Sequence, residues 1–177
     1  MRKFLIDSEE KKTEYAKFIE SLGPYIWYCH LTFRYNIKSE ERAFSFFIKF
    51  IRRLNEWTLG RRYRRTDKRG IFWVMVIERQ ERGAIHFHVL LKHPLLSKIP
   101  CLFGIKIWTN LGKETGNEKV NRIERYDPKR GYKACKYLTK YMDKGTEIYF
   151  ADPNLTFWSD DSPVKRNKKT LISKKKA

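Results

Sequence analysis

The alternation of apolar and polar positions is clearest between Val74 and Leu91. There VMVIERQ and AIHFHVLL flank the polar break Glu81-Arg82-Gly83. Two apolar runs around a charged turn with one glycine predict a β-hairpin with a loop of several residues. Alternate side chains of a strand share a face, so His86 and His88 point one way and Phe87 the other. With the hairpin symmetric about Glu81-Arg82, Glu78 falls opposite His86 on the histidine face; a register slip of one residue would move it to the other face. Two imidazoles and a carboxylate converging on one spot suit a divalent metal, although single strand histidines are more often structural.

The same reasoning orders the rest of the chain. Residues Asp7 to Glu20 read as a helix with Tyr15, Phe18 and Ile19 on one side, broken by Gly23-Pro24. Tyr25 to Phe33 (YIWYCHLTF) is aromatic and β-branched, a strand in which His30 reads as an ordinary strand histidine. Ser39 is placed to cap a helix whose first turn holds Glu40 and Glu41. In that helix Ala43, Phe44, Phe47, Phe50, Ile51 and Leu54 recur at helical spacing, as far as Leu59-Gly60. After the hairpin come a connection marked by Pro94 and Pro100, with His93 as a loop histidine, and a short apolar helix over Leu102 to Leu111. A loop at Gly112 to Asn117 leads to a further strand over Lys119 to Tyr126. Asp127-Pro128 introduces a last helix, GYKACKYLTKYMDKG, with Gly145 as its stop signal. On it Tyr137 and Tyr141 lie one turn apart on one face, and Lys136, Lys140 and Lys144 repeat that spacing alongside.

Charge changes the picture. The 177 residues carry 39 Lys and Arg against 20 Asp and Glu, a formal net charge of +19. Such an excess calls for a polyanionic partner. No apolar run reaches transmembrane length, and the charged stretch Met1 to Glu14 does not read as a signal peptide, so nucleic acid is the better partner than a membrane. An aromatic content of 15% adds surfaces for stacking unpaired bases. The run Arg61, Arg62, Tyr63, Arg64, Arg65 serves equally as a solvated loop or as a DNA-backbone contact. Cys29, Cys101 and Cys135 stand alone, which argues against structural zinc and a disulfide framework and fits a reducing cytoplasm. Gly112-Lys113-Glu114-Thr115-Gly116 lacks the closing Lys-Ser/Thr of a phosphate-binding loop, so no ATPase motor is recognisable.

Three stretches in order, HLTF (30 to 33), HFH (86 to 88) and YLTKYMDK (137 to 144), resemble the three motifs of the HUH endonucleases, and most closely those of rolling-circle replication initiators of small phages and plasmids. The resemblance spans about Tyr25 to Gly145. It implies an α+β fold, a central antiparallel sheet of RRM-like topology with helices packed on it, in a single domain over residues 1–160, followed by a basic, disordered tail over 161–177. By position in the motifs, it makes His86 and His88 metal ligands and Glu78 the third, acidic ligand of a divalent ion, Mg or Mn. It makes Tyr141 the nucleophile of single-tyrosine relatives, Tyr137 the second of two-tyrosine members, and Lys140 and Lys144 the motif lysines. Thr32 belongs to the first motif, in support or in DNA contact, with Arg61, Arg62, Arg64, Arg65 and Lys136 as further DNA contacts. The implied partner is single-stranded DNA at a replication origin, including one folded as a hairpin, with helicase and polymerase supplied by a prokaryotic host.

The chemistry is consistent from below. Transesterification at a DNA phosphate needs a nucleophile, charge neutralisation and a stabilised leaving oxygen. A free phenol titrates near ~10, so the metal or a Lys ammonium must favour the phenolate. Related enzyme classes fit less well. Single-tyrosine insertion-sequence transposases lack the doubled motif, two-tyrosine transposases carry extra domains, and relaxases place the tyrosine before the histidines. From a different class, a non-catalytic RRM-like single-strand-binding module would not need His86, His88, Tyr137 and Tyr141 together.

Overall fold

The computed structural model describes residues 9–65, 70–80, 83–140 and 148–151. Helix α1 (Glu9–Ser21) leads into β1 (Trp27–Thr32), α2 (Glu40–Leu59), the hairpin β2 (Phe72–Arg79) and β3 (Ile85–Lys92), α3 (Cys101–Thr109), β4 (Arg122–Arg125), α4 (Gly131–Lys140) and β5 (Ile148–Ala151). The strands form one antiparallel sheet in the order β4-β1-β3-β2-β5. Its first four strands, with α2 linking β1 to β2 and α3 linking β3 to β4, have the RRM-like arrangement, and β5 extends the free edge of β2.

Period-two alternation divides the sheet into two faces. On one, Trp27, Cys29, Leu31, Trp73, Met75, Phe87 and Val89 are buried under Phe47, Phe50 and Leu54 of α2 and Trp108 of α3. Edge-on aromatic contacts knit this layer, such as Phe47 on Trp73 with ring centres 4.9 Å apart. Helix α2 starts as the sequence predicts, with the Ser39 hydroxyl accepting from the Arg42 N–H. Helix α3 approaches so closely that a Cβ on Gly104 would lie 2.7 Å from Trp27 Cζ3. On the opposite face, Tyr28, Val74, Val76 and Leu90 are covered by Ala16 and Ile19 of α1 and by Cys135 and Leu138 of α4. These two helices run antiparallel: Gly131, at the start of α4, sits against Glu20, near the end of α1.

Three expectations change. The strand expected over Lys119 to Tyr126 shortens to Arg122–Arg125, because residues 117–121 are held in a turn in which the Asn121 side chain donates to the Asn117 carbonyl. Strand β5 is unforeseen from the sequence. The last helix is described to Lys140, so Tyr141, Lys144 and Gly145, together with the tail at 161–177, lie outside the described residues. No helix among the described residues is long and apolar enough to cross a membrane.

Candidate active site

The site lies where β1, β3 and β2 run side by side. Their pairing places His30 opposite His88, Thr32 opposite His86, and Glu78 opposite His86 from the other side. The register inferred from the hairpin is therefore the one adopted. Because all these positions share a parity, their side chains emerge on the face covered by α1 and α4.

His86 and His88 do not stand alone. His30 joins them, and one ring nitrogen from each of the three lies within 4.8 Å of the others. Ring centres are 4.7 Å apart for His86 and His88 and 4.8 Å for His30 and His88. Read as an ordinary strand residue, His30 is the functional side chain that the sequence reading missed. The available signal was its spacing from Thr32, which puts both on one face, and the antiparallel match of HLTF to HFH.

Supporting hydrogen bonds hold the rings. Thr32 Oγ1 is 2.7 Å from His86 Nδ1, and the same hydroxyl lies 3.4 Å from the Val120 carbonyl. A hydroxyl that donates to that carbonyl must accept from the imidazole, leaving the His86 Nε2 lone pair facing the cluster. Glu78 Oε2 is 2.8 Å from His88 Nε2, and the Tyr28 hydroxyl is 3.4 Å from His88 Nδ1. Burial is the main cause that pushes the His86 imidazole down to about 4, with His88 adding to it. Burial, then His30, pushes His88 down to about 3. Burial also lowers His30, with nearby Arg122 acting the same way and Glu124 opposing. All three rings are neutral at pH 7, so the Glu78–His88 contact is an N–H to carboxylate hydrogen bond and not an ion pair. Three neutral imidazoles with a carboxylate alongside are a donor set that could hold a divalent metal ion.

Helix α4 carries Tyr137 to this cluster. Cys135, Leu138 and Thr139 face inward and seat the helix on the sheet, while Lys136 and Lys140 point outward. Between them the Tyr137 ring meets His88 edge-on, ring centres 5.4 Å apart, with 39% of the residue still exposed. The cluster thus has a hydroxyl-bearing side chain beside it that solvent and substrate can reach. Thr32 is buried and bonded to His86.

The basic run is not brought to this place. Asn55 on α2 bonds the Ile71 N–H, so the end of α2 lies by the Phe72 end of β2, while Glu78 lies six residues along that strand, about 20 Å away. Arg61, Arg62 and Arg64 follow α2 there, exposed, and the Arg64 guanidinium lies over the Tyr63 ring at 5.9 Å.

Residues 26–146 match the family model of the replication-associated protein ORF2. The chain belongs to that family. No curated protein and no solved structure matches it. Membership makes this a replication protein of the initiator kind and implies DNA as its partner.

Proposed function

We propose that this chain initiates rolling-circle replication as a metal-dependent, single-stranded DNA endonuclease of the HUH type, cutting at an origin through a 5′-phosphotyrosine link and later rejoining the strands. The observation that carries the reading is Tyr137 against His88, beside a cluster of three neutral histidines, in a chain of the replication-associated family.

His86, His88 and His30, with Glu78 as the acidic ligand, would hold Mg or Mn, which when bound neutralises charge on the scissile phosphate. The chain's own residues supply the rest. A tyrosine phenol oxygen, from Tyr137 or from Tyr141 one helical turn on, attacks phosphorus and loses its proton to solvent. The new O–P bond forms as the bond from phosphorus to the 3′-oxygen breaks. That oxygen keeps the electron pair, takes up a proton and becomes the free 3′-hydroxyl that primes synthesis. Lys140 and Lys144 favour the phenolate, and Lys136 holds the flanking backbone. Thr32 and Tyr28 orient His86 and His88. Arg61, Arg62, Arg64 and Arg65, off the far end of the sheet, contact the backbone of the flanking duplex at the origin. A host helicase and polymerase complete the reaction in the cytoplasm of a prokaryotic cell. The catalytic domain ends near residue 160, and the basic tail over 161–177 adds non-specific attraction to DNA.

A purely binding RRM-like module is disfavoured because α1 and α4 cover much of the sheet face on which such modules stack bases. To test the reading, the protein is incubated with single-stranded oligonucleotides that include the element's own origin strand, with Mn²⁺ or with EDTA. Denaturing gels are then read for a protein–DNA adduct. An adduct that needs metal, persists in one of Tyr137→Phe and Tyr141→Phe, and vanishes in the double variant is expected. Tight binding without an adduct under any divalent metal would leave a DNA-binding protein and no nuclease.

A further inference from the structure

The histidine end of the sheet is closed by a clamp. The Thr32 N–H donates to Asn121 Oδ1 at 2.7 Å, and the Thr32 carbonyl accepts from the Gly116 N–H at 2.9 Å and from Trp108 Nε1 at 3.2 Å. Arg34 N–H donates to the Glu114 carbonyl at 2.7 Å, and Phe33 bridges Thr115. Gly116 must be bare here, since a Cβ would lie 2.7 Å from both the Thr32 carbonyl oxygen and Val120 Cγ2.

The clamp draws two segments, 34–38 and 117–122, onto one rim beside His30 and His86. The rim exposes an aromatic ring, Tyr35, at 56% of its surface. Among the described residues that ring meets no other. Around it stand Arg34, Lys119 and Arg122. Arg34 and Lys119 have no ion pair among the described residues. Arg122 sits opposite His30 in the β1–β4 pairing and is bonded to Glu124 at 2.6 Å. That pair is 70% and 38% exposed, weak enough for a phosphate to compete with it. An open aromatic ring among cations is the arrangement that binds an unpaired base and its backbone.

We infer that single-stranded DNA reaches the histidine site across this rim, a base stacking on Tyr35 and its phosphates lying on Arg34, Lys119 and Arg122. The inference rests on the nuclease reading only for the destination of the strand. Binding of a labelled oligothymidylate by the full chain in EDTA, followed by fluorescence anisotropy across a range of salt, separates the two. Tyr35→Ala is expected to weaken binding roughly 5- to 100-fold, with Tyr35→Phe restoring it. Replacing Arg34, Lys119 and Arg122 together by Ala is expected to reduce the salt slope by about 2. Arg52→Ala with Arg53→Ala, on the outer face of α2, leaves both unchanged. Circular dichroism confirms that each variant folds. Rim variants that bind like the wild type overturn the inference, and so does equal loss in the α2 variant. If the rim variants lose binding while the wild type forms no covalent adduct, the rim stands and the nuclease reading fails. If the adduct forms and the rim variants bind normally, the rim alone fails.

Discussion

Thr32→Val isolates the supporting hydrogen bond of the metal cluster. The substitution nearly keeps the side-chain shape and removes only the hydroxyl that lies 2.7 Å from His86 Nδ1. Thr32 is a buried residue, so water does not readily replace that hydroxyl. An orphaned buried donor costs about 1–3 kcal/mol. The protein can bear that cost as lost stability, lowering its thermal midpoint by roughly 2–4 °C for each kcal/mol in a chain of this size. Alternatively the His86 ring rotates to find another partner, and the cost appears in metal binding, typically about 10- to 100-fold weaker when an orienting partner is lost. Mn²⁺ titration by calorimetry, paired with thermal unfolding of the metal-free protein, measures both routes. Thr32→Ser keeps the hydroxyl and should behave as wild type. A Thr32→Val protein that binds Mn²⁺ as tightly as wild type and melts at the same temperature would refute the role given to this hydroxyl.

Acid should unfold the metal-free protein early. The folded His86 and His88 titrate at about 4 and about 3, so between the ordinary 6.5 and those values the unfolded chain binds protons that the folded chain refuses. Stability is complete above pH 6.5 and falls as pH drops towards 4, by about 3 kcal/mol for His86 alone; urea midpoints that stay level from pH 7 to pH 4 would contradict this. Gly104→Ala should destabilise despite the better helix propensity of alanine. The new methyl would meet Trp27 Cζ3 at 2.7 Å and Ile123 Cδ1 at 2.8 Å. Overpacking of about 1–3 kcal/mol against a fully buried indole then exceeds a propensity gain of about 1 kcal/mol, and urea denaturation reads the net loss.

Much of the architecture was legible because the periodicities are strong. The phenylalanines of α2 and the alternation of VMVIERQ and AIHFHVLL each admit one amphipathic reading, and the hairpin register follows from the turn between them. The role of His30 was hidden because it depends on a pairing 58 residues distant, His30 with His88, which no local pattern announces. Tyr28 and Asn121 were missed for the same reason: one supports a ring from a neighbouring strand and the other holds the end of β1 from a turn. Strand β5 escaped notice because an edge strand of four residues carries too little alternation to stand out. The basic run showed the opposite failure. Its composition suggested proximity to the hairpin it precedes, but a strand's length separates it from the histidines.

The pairing of α1 with α4 has a consequence for how the molecule is made. The histidine strands and the layer beneath them are encoded by residues 27–109, but the tyrosine-bearing surface joins the first helix to one that begins at Gly131. During synthesis, a chain that has emerged as far as β4 already holds all three imidazoles and no Tyr137. The last-made third arms the protein, and a prematurely terminated product would occupy metal without being able to cut.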